Sequence, residues 1–143
     1  MHLVGRGFCF EDLRVGFRFR THRRTIREAD LVAFVNVTWL TEELFAVKDE
    51  QRNALVPGAL VYSFAEGLLL PTMQDTGLAF LNATLDIKGP TVIGDTIHVE
   101  CEVTEHRLTS KGDRGLVRFA NKVVNQRGEP VLEYNPLRLL KRK

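Results

Sequence analysis

Leu55-Val56-Pro57-Gly58-Ala59-Leu60-Val61-Tyr62-Ser63-Phe64-Ala65-Glu66-Gly67-Leu68-Leu69-Leu70-Pro71 is the stretch whose reading decides the fold. Pro57 has a φ preset for a first helical turn and Pro71 cannot continue a helix, so the two bracket an apolar helix of roughly four turns. A helix that is apolar on nearly every side is one the rest of the chain wraps. Tyr62, Ser63 and Glu66 are the exceptions, and spacings of three and four put them close together on one face. A carboxylate and a hydroxyl on a buried helix are costly unless they are paired or put to use.

Outward from this helix the pattern changes. Downstream it becomes period two: Leu78 to Lys88 reads as a strand, Gly89-Pro90 breaks it, and Val92-Ile93-Gly94-Asp95 turns into the next. Thr96 to Glu105 alternates most cleanly, with Ile97, Val99, Cys101 and Val103 facing in and His98, Glu100, Glu102 and Thr104 facing out. A hairpin loop at 110–115 leads to a strand over 116–125, a turn at 126–129 and a last strand over 131–140. Pro136 implies an edge or a bulge in that strand. Upstream, Phe17 to His22 alternates as a half-buried strand. Thr25-Ile26-Arg27-Glu28 has capping-box spacing, with Thr25 as N-cap of a helix whose stripe is Leu31, Phe34 and Val35. Between the two helices the signal weakens. Thr41 is placed to cap a short helix, and Lys48 to Asn53 is a charged, solvated turn. A loop just before a buried helix is expected to lie on that helix's polar face.

This order of elements predicts an α+β domain in which one curved antiparallel sheet wraps one long central helix. Such a sheet leaves open edges, and dimerisation is the expected remedy. A chain of 143 residues suits one domain spanning 1–143. Its 44% hydrophobic and 27% charged content are ordinary for a globular protein, and a net charge of +2 is too small to point to nucleic acid. Cys9 and Cys101 fit no zinc-ligand spacing and are too few for a disulfide framework, which indicates a reducing cytoplasm. No apolar run is long enough for a signal peptide or a membrane span.

Four segments carry a family resemblance that covers almost the whole chain: Phe10-Glu11-Asp12-Leu13-Arg14-Val15-Gly16, Arg24 through Phe34, Gly58-Ala59-Leu60-Val61-Tyr62-Ser63 and Val92-Ile93-Gly94-Asp95-Thr96-Ile97. In sequence and order they resemble the landmarks of the MaoC-like dehydratases, the (R)-specific enoyl-CoA hydratase branch of the hot-dog fold. The resemblance implies reversible hydration of a trans-2-enoyl thioester carried by coenzyme A or acyl carrier protein, with no further cofactor and no metal. It also implies a backbone N–H at the start of the central helix, here Gly58, polarising the thioester carbonyl with help from the helix dipole. Family members carry an Asp and a His in a loop motif resembling G-D-x-N-P-L-H, where the pair activates water.

The chain departs from the family at that loop. Aligned without gaps from Phe34, the motif falls on Trp39-Leu40-Thr41-Glu42-Glu43-Leu44-Phe45, so Leu40 stands at the Asp position and Phe45 at the His position. Neither side chain carries a proton. The Pro57-Gly58 start is also similar to acyl carrier protein dehydratases of the FabZ type, but Asp49 and Ser63 stand at the spacings of that dyad.

Candidate chemistry therefore shifts elsewhere. Glu66 is either a carboxylate facing the thioester, as in hot-dog thioesterases that use a central-helix acid, or a partner for an arginine. Glu42, in the old catalytic loop, is a second candidate acid. Ser63 is a candidate hydroxyl whose alternative role is a bond to a backbone carbonyl. Tyr62, Trp39, Leu40 and Phe45 are expected to line the substrate. His98 and His106 fall on exposed strand positions. Arg18, Arg20, Arg23, Arg24 and Arg27, with Lys141-Arg142-Lys143, suit a phosphorylated or acidic carrier or form a solvated basic face. Three functions stay open: a hydratase lineage enzyme with altered chemistry, a non-catalytic acyl-binding subunit whose hot-dog partner supplies Asp and His, and a thioesterase using Glu66.

Overall fold

A computed structural model describes residues 5–41 and 54–143. Its longest strands are the two whose side chains alternate most regularly, β5 (Thr96–Leu108) and β6 (Arg114–Val124), which pair antiparallel. The edge of β5 is covered by two short strands, β1 (Arg18–Arg20) and β2 (Arg24–Thr25). On the other side of β6 lie β7 (Pro130–Tyr134) and β8 (Leu137–Lys141), which pair in turn with β4 (Leu85–Ile87) and β3 (Gly77–Asn82). Among the described residues the result is one antiparallel sheet of eight strands, where the period-two stretches suggest five.

Two of the expected strands are each broken in the middle, and the breaks lie opposite one another. Pro136 has no N–H to give to a ladder. At that point Phe119 N–H donates to Pro136 O, while the Asn135 side-chain carbonyl accepts from Thr84 N–H at 2.6 Å and Thr84 Oγ1 at 2.8 Å. Side chains on either side of the break keep their face. Leu132, Tyr134, Arg138 and Leu140 are all buried, each an even number of residues from the next.

Helix α1 (Glu28–Thr38) buries Leu31 and half-buries Phe34 and Val35, the stripe expected of it. Its N-cap differs from expectation. Arg27 is the N-cap residue and Asp30 Oδ2 accepts from Arg27 N–H at 2.8 Å. Thr25 sits in β2 instead, its hydroxyl 2.7 Å from that of Thr96. Sheet pairing claims residues 24 and 25, so the helix starts two positions later than Thr25 alone suggests.

Helix α2 (Gly58–Met73) lies in the concavity of the sheet. It runs two residues past Pro71 because a proline so near the C-terminus forfeits a single bond. Leu60, Val61, Ala65 and Leu69 are almost fully buried against Ile97, Val99, Cys101 and Leu132. Each such leucine or valine contributes about 2 kcal/mol by leaving water. A second cluster, Phe10, Leu13, Val103, Val117, Phe119 and Leu140, closes the end of the sheet near the 3-10 turn at Phe10–Asp12. The helix is not wrapped on every side, however: Ala59, Ser63, Gly67 and Leu70 are exposed along one row. Beside that row, every residue of β3 and β4 is exposed, including Leu78, Phe80, Leu81 and Ile87.

Among the described residues no helix is long and apolar enough to cross a membrane.

Candidate functional site

The start of α2 is built from backbone. Pro57, at φ −59° and ψ 140°, is the N-cap, and its carbonyl accepts from Leu60 N–H at 3.0 Å and Val61 N–H at 3.2 Å. The N–H groups of Gly58 and Ala59 are left without an acceptor among the described residues, as the first turn of any helix leaves them. They lie at the positive end of the helix dipole. A Cβ at Gly58 would stand 2.6 Å from Ile87 Cδ1, the tip of an exposed side chain that would have to move aside. These features are what an oxyanion of a thioester adduct would need: free donors, a favourable field and close backbone access.

Two turns further along, the row Gly58, Tyr62, Glu66 ends in a polar cluster. Arg138, on β8, donates Nη1–H to Glu66 Oε1 at 2.8 Å and Nη2–H to Glu66 Oε2 at 2.6 Å, a bidentate pair. The Tyr134 hydroxyl donates to the same Oε2 at 2.7 Å. The Arg138 side chain is 6% exposed and that of Glu66 28%. Burial works against charge on Arg138, but the hydrogen bonds and charge of Glu66 outweigh it and raise its pKa. Burial, then the Glu66 carboxylate, pushes the Tyr134 phenol far up, so it stays a donor. Tyr62 is raised by the same two causes in the same order. Its ring packs 4.9 Å from Tyr134, edge to face, and 6.4 Å from Phe80.

The remaining site candidates are scattered. Ser63 is exposed and its hydroxyl donates back to Ala59 O at 2.9 Å. Trp39 is the C-cap of α1 in the left-handed conformation at φ 63°, with its ring 84% exposed. Leu40 follows it, N–H to Thr38 Oγ1 at 3.3 Å. Glu42 and Phe45 lie outside the described residues, as do Asp49 and the charged turn from Lys48 to Asn53. The structure thus brings Gly58, Tyr62 and Glu66 onto one helix row and leaves Ser63 on another.

Sequence reasoning missed Tyr134 and Arg138. The signal was present: a lone carboxylate on an apolar helix needs a cation, and Arg138 is the one charged residue between Leu137 and Leu140.

His98 was expected to be exposed but is buried, with Nε2 2.9 Å from Glu100 Oε2. It sits beneath the arch that the chain makes between β1 and β2. His106 is half-buried, stacked at 3.8 Å on Phe10, with Nε2 2.9 Å from Phe10 O. The basic residues are largely spoken for. Arg18 faces Glu102 and Arg20 faces Glu100 across the β1–β5 ladder. Arg24 lies 3.9 Å over the Phe64 ring and bonds Asp30. At the C-terminus Arg142 bonds Glu11 and Lys143 Nζ bonds Asp12 at 2.8 Å.

Against solved structures, the chain superposes on a monoamine oxidase regulatory protein from Archaeoglobus fulgidus with a TM-score of 0.82 and 28% identity, covering 96% of this chain and 97% of that one. A MaoC-like dehydratase from Rhodospirillum rubrum gives 0.81 and 25%, covering 96% and 99%. The chain has the hot-dog fold of these MaoC-like structures. A Mycobacterium tuberculosis protein with a double hot-dog fold gives 0.84 at 23% identity, and there this chain, matched over 99% of its length, spans 46% of the other. No family model and no curated protein matches the sequence itself. The likeness is one of fold, with the central helix and the sheet around it in the places the sequence indicates.

Proposed function

We propose that this chain is the acyl-thioester-holding member of a pair of hot-dog units in the hydratase and dehydratase lineage, with the acid–base pair supplied by the other unit. One observation carries this reading. Glu66 is the sole charged residue of α2, and both its oxygens are engaged by Arg138 and Tyr134. A carboxylate so held is a poor general base, because taking a proton would surrender two charge-assisted bonds. This weighs against a thioesterase built on Glu66. With Leu40 in the acid position, the chain retains the means to bind and polarise a thioester through Gly58 and lacks the usual means to move a proton.

The exposed β3 edge supports a second unit. Among the described residues its outer N–H and C=O groups face no strand, and Leu78, Phe80 and Leu81 are 42 to 48% exposed. A free apolar edge of this kind is normally paired or covered. Coenzyme A or acyl carrier protein is the carrier such a pair would take, and no further cofactor is invoked.

The test is to follow the enoyl absorbance of trans-2-enoyl-CoA substrates with the chain alone and then mixed with a MaoC-like protein bearing the Asp and His. Turnover that rises only on mixing, and falls with Gly58→Val in this chain, is the expected result. Full turnover by the chain alone, abolished by Glu42→Gln, would overturn the subunit reading in favour of a relocated acid in the same loop.

A further inference from the structure

A second region of the molecule concentrates unpaired positive charge. Between β1 and β2 the chain leaves the ladder and arches over β5: Arg20 lies opposite Glu100 and Arg24 opposite Ile97, while residues 21–23 cross above His98 and Val99. Thr21 pins the arch, its N–H donating to Val99 O at 2.9 Å and its hydroxyl accepting from Val99 N–H at 2.9 Å. Between the arch and the last turns of α2 lies a cavity of about 560 Å³, bordered by Arg20, His22, Arg23 and His98 together with Leu68 and Pro71. That size falls within the range of sites for small organic ligands, about 300 to 1,000 Å³.

The charges around this cavity are out of balance. The guanidinium groups of Arg20 and Arg23 and the imidazole of His22 make no ion pair or hydrogen bond among the described residues. Glu100 faces Arg20 across the ladder, yet its carboxylate is bonded to His98 Nε2 at 2.9 Å. Among the described residues no carboxylate lines the cavity. The His98 side chain, 10% exposed, is a polar group buried in the wall, and its Nδ1 has no partner among the described residues. Two fixed cations in a concave wall draw an anion, and the forked donors of arginine match the oxygens of a phosphate. The negative end of the α2 dipole opposes this only weakly, because Phe8 N–H and Gly7 N–H already occupy the carbonyls of Thr72 and Gln74.

We propose that this cavity is a binding site for a small phosphomonoester, with Arg20 and Arg23 holding the phosphate and Leu68 and Pro71 packing against its organic part. A bare inorganic ion would leave most of the volume and the apolar wall unused. The site is distinct from the thioester site proposed at Gly58. Thr72, which also lines the cavity, lies about 21 Å along α2 from Gly58 at 1.5 Å per residue. At about 100° per residue, Leu68 and Pro71 stand on the side of α2 opposite Glu66. The cavity therefore keeps its ligand whether or not Gly58 holds a thioester. Coenzyme A carries a phosphomonoester of its own, and the experiment separates that source from a free ligand.

Calorimetric titration of the full chain with phenyl phosphate, inorganic phosphate and butyryl-CoA is the test. It is repeated on Arg20→Gln/Arg23→Gln and on Arg14→Gln/Arg107→Gln, which removes the same charge from exposed positions outside the cavity. Phenyl phosphate is expected to bind with one-to-one stoichiometry and more tightly than inorganic phosphate. Its affinity should fall at least about tenfold in the cavity variant and stay within about twofold in the other. Butyryl-CoA affinity, whatever its value, should not change. No saturable binding of phenyl phosphate up to ~20 mM overturns the site, and so does an equal loss in the two variants, which would reduce it to general surface charge. If butyryl-CoA loses as much as phenyl phosphate in the cavity variant, the phosphate is coenzyme A's and the separate site falls. Should that variant not fold, Arg23→Gln alone, outside both strands, decides with an expected loss of at least about threefold.

Discussion

The two ends of the row on α2 are made of different material. At Gly58 the atoms proposed to hold the thioester are backbone N–H groups, and no side chain takes part. At Glu66 everything depends on side chains, from three elements, in a closed set of bonds. A backbone feature survives almost any drift in the surrounding sequence as long as the helix starts in the same place. A side-chain dyad is lost by two substitutions. On the proposed reading, binding and proton transfer are separable in such a fold, with the first persisting after the second has gone.

The comparison breaks most sharply at Arg138. Arg138→Ala leaves the Glu66 carboxylate half-buried without its cation, and a loss of about 3 kcal/mol in urea unfolding is expected, near the lower end for a broken buried pair because Glu66 is partly solvated. A change under about 0.5 kcal/mol would show the pair to be no more than a surface contact. At the other end, Gly58→Val should leave stability within about 1 kcal/mol, because Ile87, 56% exposed, has room to swing away, while thioester affinity falls. Equal losses of stability at the two ends would erase the distinction drawn between them.

A smaller effect separates the two capping candidates of α1. Asp30→Ala removes the acceptor of Arg27 N–H and should cost about 1 kcal/mol. Hydrogen exchange in the first turn of α1 should quicken with it, and less with Thr25→Ala.

The smallest effect is at the chain's C-terminus. The Lys143 hydrogen bond, ahead of opposing burial, holds Asp12 below its ordinary value of 3.8. A depressed carboxylate stabilises above the unfolded pKa, so this tether is fully present above pH 3.8 and lost as pH falls through the lower folded value. Backbone amides around Cys9 and Lys143 should lose protection in that acid window before the sheet melts. Cys101, whose thiol is pushed up to about 12 by burial, should stay unreactive toward thiol reagents at pH 8 until the chain unfolds.

What the sequence showed follows the range of the interactions involved. The alternation of Thr96 to Glu105 and the apolar run from Pro57 to Pro71 report local burial, and both elements form where they read, with the inward set Ile97, Val99, Cys101 and Val103 buried as expected. The N-cap was misplaced because Thr25 and Arg27 compete for the same turn, and strand pairing with Thr96, 71 residues away, decides between them. Glu66 was visible as an anomaly but its partner was not, since Arg138 is 72 residues distant. The helix start at Gly58 was legible because Pro57 and the apolar run after it are local signals. His98 was misread because alternation separates the two faces of a strand without telling what arches over them.

The opposed breaks at Thr84 and Asn135–Pro136 give the sheet a crease. A strand can be bent by an inserted residue, which adds local twist. Here the ladder is interrupted by a missing N–H and the gap is spanned by an asparagine side chain, so the inward and outward faces stay in step across it. One side of the crease carries Tyr134 and the other Arg138, and both are angled onto the same carboxylate. The imino acid at 136 thereby sets the aim of two side chains it never touches.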